Sequence, residues 1–183
     1  MLNRLSALIL IILSSPIFIF LTIAILLEDG LPILFTQKRV GINYTFFKIY
    51  KFRSMKKNTP NVATHLLNNP DQYLLKIGKF IRKTSLDELP NLINIIKGDM
   101  VFVGPRPALY NQDDLMDFRV AFGVSKLKPG ITGWAQINGR DEISIAQKAQ
   151  LEQEYLHKKS FLFDIKIILN TFINVFFSKG VSH

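Results

Sequence analysis

The stretch "LSALILIILSSPIFIFLTIAILL", residues 5–27, carries no charged side chain. It is longer than the roughly 20 residues a helix needs to cross a bilayer. It also exceeds the core of about 7–15 residues of a signal peptide, and no obvious cleavage site follows it. At its midpoint stands Ser14-Ser15-Pro16. Proline lacks an amide proton and its ring collides with the carbonyl four residues back, here that of Ile12, so a helix through this point must kink or break. The Ser14 and Ser15 hydroxyls can satisfy the carbonyls that the break releases. Two topologies meet these constraints: a kinked transmembrane helix, and a re-entrant hairpin that dips into one leaflet and returns. Flanking charge does not separate them, with Arg4 on one side and Glu28, Asp29, Lys38 and Arg39 on the other. The chain divides accordingly into a membrane segment, 1–29, and a polar remainder, 30–183, large enough for one domain with a modest core.

Lys and Arg number 23 against 14 Asp and Glu, a formal charge of +9 that calls for an anionic partner. Hydrophobic residues at 48%, with 15 Phe, point to a membrane surface rather than to nucleic acid. Cysteine is absent, which excludes disulfides, thiol nucleophiles and cysteine metal sites. The histidines, His65, His157 and His183, lack ligand spacing, so a carboxylate-held magnesium is the metal chemistry left open.

Beyond Gly30, "PILFTQKRVG" and "FFKIYKFRSM" are short, rich in branched and aromatic residues, and predict a β-hairpin. "PDQYLLKIGKFIRKT" places Leu74, Leu75, Ile77 and Ile81 at helical spacing. "PNLINIIKG" reads as a helix stopped by Gly98, and "VFVGPRPALY" as extended, because Pro105 and Pro107 exclude helix. "KLKPGITGWAQINGR" is turn-rich and reads as irregular, and a helix follows over residues 143–158. Over residues 161–177 the polar Asp164, Asn170, Thr171 and Asn174, with Ser178 beyond, crowd one side of a helix in which nearly everything else is apolar. A domain this small has little core to cover such a face, which favours a membrane-interface position. The fold class is therefore α+β and mainly helical: an N-terminal membrane helical hairpin, a compact domain, interfacial amphipathic helices and a short β-hairpin.

"TSLDELPNL" sets Asp87 beside Glu88. Ser85 and Glu88 match a capping box, which would make Glu88 structural. Pro90 prefers a first helical turn, so the regular helix begins near Leu89 or Pro90, with both acids at its positive end. Lys51, Arg53, Arg82, Arg106 and Arg140 lie in short, irregular contexts where little freedom is lost on gripping phosphate. A carboxylate among such cations can attack phosphorus while a cation or divalent metal neutralises developing charge. Neither a Walker loop nor a G-x-G-x-x-G after a strand is present. A membrane-surface protein that only binds acidic lipid, and a phosphate-monoester hydrolase or direct-transfer enzyme, are the rival classes.

The apolar segment broken at Ser15-Pro16, then "KIYKFRSM", "RKTSLDELPNL", "KGDMVFVGPRP" and "KPGITGWAQINGR" in that order, resemble the small monotopic polyprenol-phosphate phosphoglycosyl transferases. The resemblance to these bacterial sugar transferases covers nearly the whole chain, without the extra transmembrane helices and domain of larger members. It implies transfer of sugar-1-phosphate from a UDP-sugar to undecaprenyl phosphate with release of UMP, as the first membrane step of capsule, exopolysaccharide, O-antigen or glycoprotein glycan assembly. It further implies Asp87 as covalent nucleophile and magnesium ligand, Glu88 in support, and Mg2+ as cofactor. Lys51, Arg53, Arg82, Arg106 and Arg140 would bind substrate, with Pro105-Arg106-Pro107 at the nucleotide end. Ser15-Pro16 would mark the turn of a re-entrant helix on the cytoplasmic face of the bacterial inner membrane. Partners implied are the donor, the acceptor, membrane lipids and downstream glycosyltransferases, and no nucleic acid. "KFRSMKKNTPNVATHLL" and "GPRPALYNQDDL" resemble the capsular-polysaccharide branch, which points to an N-acetylated amino sugar such as that of UDP-N-acetylfucosamine.

Overall fold

The apolar segment folds as two helices, α1 (Leu2–Leu13) and α2 (Ser15–Asp29), bent by 62° at the expected break. Ser15 Oγ donates at 2.7 Å to the Ile12 carbonyl that Pro16 releases, as the sequence predicts, while Ser14 Oγ donates at 2.5 Å to the Leu10 carbonyl, which also accepts the Ser14 amide. Pro16 falls in the first turn of α2, where a missing N–H costs nothing. Among the described residues no single helix is long and apolar enough to cross a membrane, while the bent pair together passes on length and composition. This computed structural model describes residues 2–60, 69–139 and 143–176.

In chain order the rest comprises β1 (Leu34–Val40), β2 (Phe46–Phe52), α3 (Lys76–Lys83), α4 (Asn91–Lys97), β3 (Val101–Val103) and β4 (Ala108–Leu109). Then come α5 (Asp113–Ala121), β5 (Gly130–Thr132), α6 (Trp134–Ile137), α7 (Ile145–Lys158) and α8 (Phe161–Phe176). The class is α+β and mainly helical, as the sequence predicts. β1 and β2 form the expected antiparallel hairpin, in register from Leu34 opposite Phe52 to Val40 opposite Phe46. β4 adds to β1, giving the order β2-β1-β4, and β3 pairs in parallel with β5. The exposed edge of β2 would leave backbone groups unpaired. The fully buried Asn94 of α4 supplies them: its Nδ2 donates to the Lys48 carbonyl at 2.7 Å and its Oδ1 accepts from Tyr50 N at 3.2 Å.

Both arms of the bent pair belong to the core. Ala7 packs with Ile49, Leu92 and Ile95, and Leu21 and Ile25 pack with Phe52, Leu75 and Ile81. Their outer sides expose Ile12, Leu13, Phe20 and Leu27. The far ends of the two arms are tied to the same polar body. Arg4 Nη2 donates to the Lys97 carbonyl at 3.3 Å, closing the C-terminus of α4. Arg53, 6% exposed, pairs with Asp29 at the end of α2 and donates to the Gly30 carbonyl at 2.6 Å.

Three local expectations need correction. Leu74 and Leu75 lie outside any helix, although their spacing fits one: Leu74 bridges Met55, Leu75 N–H bonds the Ser54 carbonyl, and α3 starts only at Lys76. The Ser85–Glu88 capping box does not form, because Ser85 takes a left-handed conformation with φ 57° and makes no side-chain cap bond. "KPGITGWAQIN" is not irregular: it builds β5 and α6, and its glycines let backbones approach. A Cβ on Gly130 would strike Gly104 N across the parallel pair. A capping box does form elsewhere, at Ser144 and Gln147, and starts α7 inside the span predicted helical.

α8 is oriented opposite to a core helix. Two of its polar residues face inward: Asp164 Oδ1 lies 2.7 Å from the Tyr155 hydroxyl, and Thr171 Oγ1 lies 2.6 Å from Thr132 Oγ1. Ile167 is buried, whereas Phe161, Leu162, Leu169 and Phe172 are exposed. An apolar face turned outward is what an interfacial helix presents. Ser178 lies outside the described residues.

Candidate active site

The acidic pair sits on a 3-10 turn, Leu86–Glu88, that runs through Leu89 and Pro90 directly into α4. Gly98, at φ 91°, ends that helix as the sequence predicts. Lys51 comes from β2, the strand edge that α4 closes. Its Nζ lies 2.6 Å from Glu88 Oε1 and 3.9 Å from Asp87 Oδ2. Arg106 Nη1 reaches the same Glu88 oxygen at 3.6 Å. Both carboxylate side chains are only 14% exposed.

The two acids are therefore not equivalent. Among the described residues Glu88 has a close lysine and an arginine, whereas Asp87 has one cation at the margin of contact. Burial is the main influence on Asp87 and pushes its carboxyl up to about 6. Lys51 pulls the other way, the neighbouring Glu88 charge adds to the rise, and Arg82 and Arg106 oppose it more weakly. A carboxylate that is poorly neutralised and poorly hydrated holds its electron pair at high energy, which is the condition for a nucleophile.

Arg106 is presented by a loop whose three successive carbonyls are all held. Pro105 O accepts from Gly130 N at 2.9 Å, Arg106 O from Arg119 Nη2 at 2.8 Å, and Pro107 O from Arg39 Nη1 at 3.1 Å. Arg119 in turn pairs with Glu152 through two nitrogens, and both side chains are buried. Fork-on-carboxylate geometry of this kind fixes orientation as well as charge. Arg39 is drawn down to about 10 by burial and by the charge of Arg106, against the pull of Glu88. It stays a cation at neutral pH.

Among the residues marked by sequence, the structure brings Asp87, Glu88, Lys51 and Arg106 together, with Arg82 within electrostatic reach. Pro105 and Pro107 act through their carbonyls. Arg53 is engaged by Asp29 and Gly30, and the structure does not bring it to the pair. Arg140 lies outside the described residues. Sequence reading missed Arg39, Arg119 and Glu152. A basic residue on a predicted strand was the only signal for Arg39, and nothing local links Arg119 with a carboxylate 33 positions away.

Magnesium is the metal that the resemblance implies, and the donor set fits it in one way. Mg2+ is commonly held by one or two carboxylates together with substrate phosphates rather than by an all-protein cage. Asp87 and Glu88 provide such a pair, and no cluster of three or more metal-binding side chains occurs among the described residues.

A buried acid pair on a turn, ringed by lysine and arginines, is an arrangement suited to handling phosphate. Residues 1–178 match the family described as Bacterial sugar transferase. The chain is 41% identical over 179 residues to the uncharacterized sugar transferase EpsL of Bacillus subtilis, covering 97% of this chain and 87% of that one. It is 39% identical to the UDP-glucose:undecaprenyl-phosphate glucose-1-phosphate transferase of Escherichia coli, over 95% of this chain and 39% of that protein. It is 40% identical to the galactosyl transferase CpsE of Streptococcus agalactiae, over 84% of this chain and 36% of that one. The chain thus spans less than two-fifths of these last two. It belongs to the bacterial sugar transferase family.

Proposed function

We propose that the chain transfers sugar-1-phosphate from a UDP-sugar to undecaprenyl phosphate and releases UMP, the first membrane step of a surface or secreted glycan. The observation that carries this is the unequal acid pair: Glu88 neutralised at 2.6 Å by Lys51, Asp87 buried and under-neutralised beside it. In the first step an Asp87 carboxylate oxygen bonds to the phosphorus that bears the sugar, and the bond from that phosphorus to the UMP oxygen breaks. UMP leaves with the electron pair. In the second step an oxygen of the lipid phosphate attacks the same phosphorus, and the bond to Asp87 breaks, which restores the carboxylate. Lys51 and Arg106 face the charge that accumulates on the phosphoryl oxygens, and Glu88 holds both cations in place. Magnesium, held by Asp87 and assisted by Glu88, would supply further neutralisation of the diphosphate.

The membrane reading is a re-entrant hairpin that leaves the catalytic domain on the cytoplasmic face. Its support is that Arg4 and Asp29, at the two ends of the bent pair, are both bound to the same polar domain. The exposed apolar sides of α1, α2 and α8 supply membrane-facing surface. For the donor sugar we propose an N-acetylated amino sugar, on the resemblance to the capsular branch. The test is incubation with a panel of UDP-sugars, undecaprenyl phosphate and magnesium, scored by UMP. Release that requires one sugar and both substrates is expected; inorganic phosphate alone, or no release with any donor, would overturn the reading.

A further inference from the structure

Lys76, Lys79, Phe80 and Lys83 follow the i, i+3, i+4, i+7 spacing in α3, so they form one stripe along the helix. All four are exposed, Phe80 by 54%. The opposite side is turned to the core: Ile81 is fully buried, and Gly78 lies so close to the Ser54 carbonyl that a Cβ would not fit. α3 contains no acidic residue, and among the described residues none of the three ammonium groups is paired with a carboxylate. The reaction proposed above makes no use of these lysines.

The end of the bent helix pair sets where this stripe lies. Exposed apolar side chains on α2 continue to Leu27, at 82%. The next residue, Glu28, accepts from the first amides of α3, Lys76 N at 2.5 Å and Ile77 N at 3.4 Å. Asp29 accepts from Lys57 N at 3.1 Å, and the exposed Lys57 carries its ammonium beside Gly30. Lys57 and the α3 lysines therefore start from the point where apolar surface gives way to polar surface.

We infer that the outer stripe of α3 docks on the headgroups of anionic phospholipids, with Phe80 seated between them; the inference rests on the membrane reading given above. Charge and continuity both favour this occupant. A phosphodiester headgroup supplies the negative charge that the stripe lacks, and the adjoining apolar face of α2 calls for the same bilayer. Lysines interleaved with an aromatic are also the pattern of a helix that lies in the interface plane. The site gains from this placement. α3 leads through Thr84 and Ser85 into the turn that carries Asp87, so headgroups gripped by the stripe hold that turn near the depth of the lipid phosphates.

The chain has no cysteine, so Phe80→Cys carries a single fluorophore on the stripe. The full chain is placed in nanodiscs of phosphatidylcholine and phosphatidylglycerol, and one lipid or the other bears a headgroup quencher at equal density. Quenching by labelled phosphatidylglycerol should exceed that by labelled phosphatidylcholine by about fivefold, the factor by which a lysine near a negative membrane is favoured. Changing Lys76→Gln, Lys79→Gln and Lys83→Gln together should bring the two lipids to parity. Salt at about 1 M should do the same with the lysines in place, which serves if the triple variant unfolds. Equal quenching by both lipids with the lysines present, or a preference that survives their removal, overturns the inference. A preference erased by added undecaprenyl phosphate would make the stripe an acceptor site, and overturns it too. A second label, on Leu13→Cys at the exposed bend of the helix pair, is read with a quencher in the acyl chain. Quenching at position 13 with none at position 80 leaves α3 in water, open to an acidic protein, and defeats this inference alone. Quenching at neither position defeats the membrane reading and this inference with it.

Discussion

Two carboxylate–cation assemblies lie on either side of Arg106, and they are built to opposite ends. Glu152 is met by two nitrogens of Arg119, and both side chains are sealed from water. Asp87 is nearly as enclosed, yet among the described residues its nearest cation stands 3.9 Å away, because Lys51 is drawn to Glu88. The first assembly balances its charge and holds a backbone carbonyl. The second leaves one carboxylate poorly compensated, and the cost appears as a carboxyl raised to about 6. Balanced charge positions; unbalanced charge reacts.

The largest effect expected is on turnover. Asp87→Asn keeps shape and removes the nucleophilic charge, so UMP release should fall by about a thousandfold or more, as for removal of other covalent nucleophiles. Lys51 still has Glu88, so the variant should fold. Next comes the balanced pair. Glu152→Gln or Arg119→Met alone leaves one buried charge uncompensated and should cost about 3–5 kcal/mol in urea unfolding. Arg119→Met with Glu152→Leu should recover most of that stability, since an apolar replacement of a buried pair is often neutral. Turnover should stay reduced by about tenfold, because the Arg106 carbonyl has lost its donor. Full turnover in the double variant would show that pinning the loop is irrelevant.

A smaller effect concerns pH and carries a definite sign. Asp87 has a folded value of about 6 against an ordinary 3.8, so its contribution to stability is fully present below 3.8 and is lost as pH rises through 6. Asp87→Asn, which never ionises, should therefore be more stable than the parent at pH 8, by at most about 3 kcal/mol. Its advantage should vanish below pH 4. The Arg119–Glu152 assembly predicts no such gain on neutralisation, which separates the two pairs in one titration. Smallest of all, Arg39→Lys keeps the cation but loses the fork that reaches Pro107, and should lower kcat/KM by only about threefold, under 1 kcal/mol.

What could be read from sequence was what neighbours in the chain decide. The break at Ser14-Ser15-Pro16, the hairpin of β1 and β2 and the stop at Gly98 each follow from a few adjacent residues. Leu74 and Leu75 misled because apolar spacing alone does not distinguish a helix from an extended segment that bridges Met55. The Ser85–Glu88 motif misled because a capping box needs extended backbone at its serine, and this serine is left-handed. β5 and α6 were hidden because glycines that signal turns here permit strands to touch. At the site, the acid pair and Arg106 were visible as short motifs. The grip on the Pro-Arg-Pro carbonyls was not, since Arg39, Arg119 and Gly130 arrive from three distant segments. Arg53 shows the converse: a basic residue in a suggestive motif that in the fold anchors the end of α2.

In the proposed reaction Asp87, the under-neutralised member of the pair, becomes bonded to phosphorus. Supplying the UDP-sugar with magnesium and withholding the lipid acceptor should trap the phosphosugar–enzyme species. Intact mass followed by peptide mapping reads it directly. One sugar-phosphate mass is expected on the peptide that contains Asp87, absent in Asp87→Asn and discharged when undecaprenyl phosphate is added. An adduct on Glu88 or on a histidine, or an unmodified chain that still turns over both substrates, would contradict it.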